Sequence, residues 1–295
     1  MTHVHHAAWG PSSRSLLLSL TLIFIAGIYL RGWLRSGGVE HSSAWRPASF
    51  LIGLFFIWLA MASPIAGLDH ELLTVHMLQH LLLMTLAPPL IWLSAPAVPL
   101  SRGLSRFAKK WFVPLSQYRA ARRIAEAVVR PKFALLAACA TLVGWHIPTL
   151  FALGMRSTGW HLFEHLSFLA TGFLFWWSVL QSSVGGSRQD LSMILYLFLA
   201  TLPCDILSGF LVFCDRVVYP TYFSSSHLLG FSPLIDQQCA AALMWTCVTL
   251  VYFVAGAVLT MRLLSPQGVP QSGFVQSKLS GVRIPRSASQ SLEAL

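Results

Sequence analysis

Two histidines one helical turn apart, His76 and His80, stand near the start of a long apolar stretch in the segment Val75-His76-Met77-Leu78-Gln79-His80-Leu81. At positions i and i+4 both imidazoles lie on one helix face. A histidine inside a membrane span is energetically expensive and marks a functional site by default. The pattern returns at Trp160-His161-Leu162-Phe163-Glu164-His165-Leu166, so the chain carries two copies of H-x-x-[Q/E]-H-L. Two facing histidine pairs can hold a metal ion. His146 is a fifth candidate ligand, with a helix–helix hydrogen bond as the competing role for a lone membrane histidine. Met84 continues the His76–His80 stripe and suits a soft metal, although methionine at helical spacing also fills cores. Imidazole sites suit copper, zinc, iron or nickel, and the neighbouring Met and Cys residues tilt the choice towards copper.

The elements that must position these groups are membrane helices. Of the 295 residues 55% are hydrophobic and 10% are charged, against roughly 25% charged in a soluble domain. The pattern predicts an all-α, polytopic membrane bundle of seven spans, since each needs about 20 apolar residues. They are Leu16–Tyr29, Ala48–Ser63, Leu72–Leu93, Phe133–Leu150, Trp160–Leu180, Leu191–Phe213 and Gln237–Met261, the first two extending beyond these bounds. The start of the chain shows no secretory signal pattern. With the N-terminus outside and the C-terminus inside, seventeen of the twenty Lys and Arg fall on the inner side, as the positive-inside rule requires. The net charge of +10 therefore reads as a membrane-surface property, and no nucleic-acid partner is expected.

This topology divides the chain into an external tail, residues 1–15, a seven-helix domain, 16–264, and a disordered cytoplasmic tail, 265–295. The external tail carries His3, His5 and His6, able to capture metal. A basic cytoplasmic loop spans 101–132, where Arg119, Arg122, Arg123 and Arg130 interleave with Ile124, Ala125, Val128 and Val129. That loop reads either as an amphipathic helix on anionic headgroups or as a solvated linker. Pro64, Pro88-Pro89, Pro148 and Pro203 should break or bend their helices, Pro88-Pro89 kinking the third span below the histidines. Cys214 and Cys239 can pair across one outer loop, and no CxxC motif is present.

The same topology gathers the polar residues at the outer ends of the spans. His76 and His80 lie roughly 6–12 Å into the third span at 1.5 Å per residue. Asp69, Glu71, Glu164, Asp205, Asp215 and Asp236 are on the same side, where they can accept from histidine ring N–H groups. Asp236 has three possible roles, as a ligand, as a support for a ligand, or as the N-cap of the last helix. Asp205 reads as a cross-helix partner.

In order along the chain come His76-Met77-Leu78-Gln79-His80 with Pro88-Pro89-Leu90, Trp145-His146-Ile147-Pro148, and His161-x-x-Glu164-His165 with Phe175-Trp176-Trp177. Asp236-Gln237-Gln238 and Met244-Trp245 follow. Together, over roughly Phe50 to Met261, this resembles the multi-span CtaG family, associated with assembly of haem–copper cytochrome c oxidase. The resemblance implies a non-enzymatic assembly factor of the bacterial plasma membrane. It would act in delivery or insertion of oxidase copper, with oxidase subunits or other copper chaperones as partners.

Three rival readings are open on the residues alone. His161-x-x-Glu164-His165 fits the H-x-x-E-H zinc pattern of a membrane metallopeptidase, with Glu164 as general base, although the other copy carries Gln79. A haem carrier would hold one haem between the two pairs. A metal transporter would use the prolines to break helices around a midplane site.

Overall fold

The computed structural model describes residues 13–37, 44–104, 127–181, 187–224, 230 and 232–264. His3, His5 and His6, Arg119, Arg122 and Arg123, and the tail 265–295 lie outside them. The described chain is helical throughout, in the order α1 (Ser13–Leu34), α2 (Trp45–Met61), a 3-10 turn (Pro64–Leu68), α3 (Leu73–Leu81), a π-helical turn (Leu82–Leu86), α4 (Ala87–Leu93) and α5 (Ala97–Gly103). After the basic segment come α6 (Pro131–His146), α7 (Pro148–Arg156), α8 (Thr158–Gln181), α9 (Ser187–Phe213), a second 3-10 turn (Pro220–Ser224) and α10 (Pro233–Leu264).

Five runs are long and apolar enough to cross a membrane: Ser13–Leu34, Trp45–Leu68, Leu73–Leu93, Leu191–Phe213 and Pro233–Leu264. Leu17, Phe24, Ile206 and Phe253 stand exposed on such helices, which is natural against lipid and costly against water. The chain is thus a multi-pass membrane protein. Seven spans were expected, and the count differs at two places. Pro131–Trp145 and Pro148–Arg156 form one further crossing only if taken together, because they are bent by 77°. The expected fourth span, Phe133–Leu150, does not run straight: Pro148 cannot donate a backbone hydrogen bond, and the helix stops at His146. The fifth, α8, is 24 residues long but falls outside the apolar set because His161, Glu164 and His165 are in it.

The other prolines behave differently from one another. Pro203 was expected to break or bend its helix, and α9 continues through it without a break, as tertiary packing permits in a membrane bundle. Pro88 and Pro89 occupy the first turn of α4, where a missing N–H costs nothing. The irregularity they induce is the π-helical turn one residue after His80 and Leu81. The start of the expected loop 101–132 is helical and belongs to α5. All five cysteines are free thiols, so Cys214 and Cys239 are not joined as the spacing allowed.

α8 is clamped against the π-helical turn. Trp176 Nε1 donates to the Met84 carbonyl at 3.2 Å. A Cβ on Gly172 would lie 2.8 Å from that same carbonyl, so only glycine lets α8 approach this closely. Glu164 meets His76 eighty-eight residues earlier in the chain, and Gly172 meets Met84 at the same offset. A constant offset means that α3 and α8 run parallel in fixed register. Their two histidine pairs therefore lie at one depth.

Candidate metal centre

The start of α3 is held from across the bundle. Asp236 of α10 accepts from the Leu73 N–H at 2.6 Å, the Thr74 N–H at 3.1 Å and the Thr74 hydroxyl at 2.6 Å. Its carboxylate satisfies the free donors of the first turn and complements the positive end of the helix. Of the three roles open to Asp236, the structure shows a fourth: it caps α3, not its own helix, and it touches none of the histidines. The cap of its own helix is Ser232, whose hydroxyl accepts from Ile235 N–H at 3.3 Å.

From this anchored start α3 aims His76, Gln79 and His80 inward, all buried. α8 supplies His161, Glu164 and His165, of which Glu164 is fully buried. The rings of His76 and His80 are 4.4 Å apart, and those of His161 and His165 4.3 Å. Across the helices, His76 is 5.4 Å from His161 and His80 is 5.7 Å from His165. His146, where α6 ends, has its ring 6.2 Å from that of His80. All five histidines singled out by spacing thus gather in one cluster. Phe168 stacks on His80 at 4.0 Å and Phe151 meets His76 edge-on at 5.1 Å, fixing ring orientation.

Glu164 stands at the centre. Its Oε1 accepts from His76 Nε2 at 3.3 Å and lies 3.2 Å from His80 Nε2, off the hydrogen-bonding direction. Its Oε2 faces Gly154 of α7, where a Cβ would come within 2.7 Å of it. His146 donates from Nδ1 to the Leu142 carbonyl at 2.7 Å, because a carbonyl can only accept. Its Nε2 is then a lone pair facing the Met77 sulfur at 3.3 Å. The break at Pro148 also frees the His146 carbonyl, which accepts from the Tyr219 hydroxyl at 3.0 Å.

A group on the loop before α3 completes the wall. Asp69 Oδ2 is 3.5 Å from His161 Nε2 and its Oδ1 is 3.8 Å from His70 Nε2. Gln79 Nε2 donates to Asp69 Oδ2 at 3.3 Å and to the Ala66 carbonyl at 3.1 Å. Tyr222 donates to the Asp69 carbonyl at 2.8 Å, and burial, aided by the nearby carboxylates, pushes its phenol well above the ordinary range. It therefore remains a donor. Asp69 was expected among the outer acids able to accept from histidine rings, and it faces His161. His70, Met77, Tyr219 and Tyr222 were not singled out; Met77 adjoins the signalled His76, while the tyrosines carry no local signal.

Two other expected residues lie apart. Asp205, on α9, leaves a buried Oδ1 without a hydrogen bond and forms no cross-helix pair through it. Met84 lines a small cavity beneath the cluster with Met77, His80, Cys139, His146, Cys204 and Met244.

The cluster leaves an unusual number of buried polar atoms without hydrogen bonds: His76 Nδ1, both nitrogens of His80, His161 Nε2, His165 Nε2 and Glu164 Oε2. Each such atom costs roughly 1–3 kcal/mol. Lone pairs that no protein donor satisfies are what a cation would use. One combination, His76, His161 and Glu164, places one donor atom from each residue within 4.8 Å of the others. Imidazole and carboxylate are the donor set of borderline divalent metals.

Uncharacterized proteins of Mycobacterium bovis and Mycobacterium tuberculosis are each 24% identical to the chain over 256 residues, covering 81% of it. The chain spans only about two fifths of the length of these curated relatives, 38% in each case. No solved structure matches it. A model of the cytochrome c oxidase caa3 assembly factor family matches residues 27–265, a stretch that holds every residue of the histidine cluster, and the chain belongs to that family.

Proposed function

We propose that the chain serves oxidase assembly by holding a copper ion, as cargo, among His76, His80, His161, His165 and Glu164. His146 with Met77 forms the lower boundary of the site. The observation that supports this reading is the set of unpartnered donor atoms from two parallel helices at one depth. A structural role for the histidines would have paired those atoms, since buried polar groups in folded proteins are hydrogen-bonded. The positive-inside distribution of Lys and Arg supports an outward-facing site, with the N-terminus outside and the C-terminus inside.

Copper is favoured over zinc by the sulfur atoms beneath the cluster, because thioether and thiol ligands select soft ions. The Glu164 carboxylate lies against the histidines of the other motif copy. In the H-x-x-E-H peptidase arrangement it would be held beside a metal-bound water, so the contact favours a holding role over hydrolysis. The natural partners are then the oxidase subunits or a second copper carrier on the outer side.

The reading is tested by metal analysis of the purified chain. Wild type should retain about one tightly held copper per chain, and His76→Ala/His80→Ala should lose that tight binding while still inserting in the membrane. Oxidase activity of cells carrying the variant should fall in parallel. Undiminished copper in the variant would make the histidines structural.

A further inference from the structure

A second group of possible metal ligands shares His161 with the site just described and reaches from it towards the surface. The side chain of His70 is 55% exposed, that of His161 is 12% exposed, and that of His76 is fully buried. The His161 ring sits between the other two, 5.5 Å from His70 and 5.4 Å from His76, stacked on the latter with the planes 20° from parallel. His161 belongs to two groups of possible ligands. With Asp69 and His70 it forms an outer triad whose donor atoms all lie within 4.8 Å of one another, and with His76 and Glu164 it forms the inner one.

We propose that Asp69, His70 and His161 form a second, receiving metal site at the mouth of the cluster, from which an ion passes inward through His161. The proposal rests on the inner histidine cluster being a metal site. Ligands on a four-coordinate ion with bonds of about 2.0–2.2 Å are roughly 3.3–3.6 Å apart. Asp69 already stands 3.5 Å from His161 and 3.8 Å from His70. A small closing motion of the exposed His70 ring completes the triad. His161 Nε2 is buried and has no hydrogen bond, although it faces Asp69.

The donor set, two imidazoles and one carboxylate without sulfur, suits a borderline divalent ion such as Cu(II) or Zn(II). Transfer is ligand exchange. Bonds from the ion to Asp69 and His70 break as bonds to His76 and Glu164 form, His161 remains attached, and no electron moves. The gradient favours the inward direction, because the inner cluster offers one carboxylate and up to four imidazoles where the outer triad offers one carboxylate and two. The competing role for Asp69 is to orient His161 by accepting from its ring N–H.

The experiment is a Cu(II) titration of the purified full chain in detergent, in four forms: wild type, His70→Ala, His76→Ala/His80→Ala, and all three changes together. The inner double variant should keep one weakly held ion, and adding His70→Ala should weaken it about 10-fold or more. In wild type at limiting Cu(II), His70→Ala should slow loading about 10-fold and leave final occupancy unchanged. That arm alters only an exposed side chain, so the fold of the inner variants does not limit it. If copper is lost in the inner variant but neither arm responds to His70→Ala, the inner site stands and the receiving site is overturned. A wild-type chain that binds no copper overturns both.

Discussion

The two copies of H-x-x-[Q/E]-H look equivalent in sequence and are used differently. In α8 the middle acid, Glu164, turns towards the cluster and lies against His76 and His80 of the other copy. In α3 the corresponding Gln79 turns the other way and ties Asp69 and the Ala66 carbonyl to the helix. One copy carries the charge that a cation needs, and the other carries a neutral amide that braces the wall. The helices are also secured differently: α3 is capped from a distance by Asp236, while α8 is set by the close contact of Gly172 with the π-helical turn. A repeated motif thus supplies the imidazoles twice, but the negative charge once.

The largest effect should come from exchanging the middle residues. Gln79→Glu places a second carboxylate beside the buried Asp69 and removes its donor. An uncompensated buried charge costs about 3–5 kcal/mol, so this variant should unfold at clearly lower temperature or fail to accumulate in the membrane. Retention of wild-type melting would mean that Gln79 and Glu164 are interchangeable after all. The converse change, Glu164→Gln, keeps the shape and should leave folding intact while lowering copper affinity about 100-fold, measured by competition with a chelator; supporting groups of a metal site commonly weigh 10–100-fold. A loss below threefold would place the charge outside the site.

Protonation should affect both copies together. An imidazole binds metal only when neutral, and its ordinary value is about 6.5. Copper affinity should therefore fall once acid protonates the cluster, more steeply in wild type than in His161→Ala. Equal slopes would show that α8 contributes no imidazole. The smallest effect should be that of Asp236→Ala. Loss of a helix cap costs about 1 kcal/mol, visible as a lower melting temperature, and because Asp236 touches no histidine, copper affinity should change less than threefold. A large loss of affinity would return Asp236 to the site.

What could be read from the chain beforehand follows the same division. His76, His80, His161 and His165 were legible because i, i+4 spacing is local and buried imidazoles are costly. His146 was legible from its place at the outer end of a span, ahead of Pro148. The 77° turn after it was not, since proline announces a break but not its angle. Asp236 was picked out as important and its partner missed, because the cap joins residues 162 and 163 positions apart. Asp69 was legible as an outer acid able to face a histidine, but its bond with Gln79 was not, because it joins the loop to the next helix. The expected fifth span, Trp160–Leu180, falls outside the apolar set because the polar residues of the cluster dilute the hydropathy of α8.

The central claim is that both copies bind one ion, and the most direct measurement counts imidazoles on the metal. Pulsed electron paramagnetic resonance of the purified chain loaded with one Cu(II) should show at least three coordinated imidazoles, with one fewer in His80→Ala and one fewer in His165→Ala. A spectrum with two or fewer imidazoles in wild type, unchanged by substitution in one of the copies, would contradict the shared site.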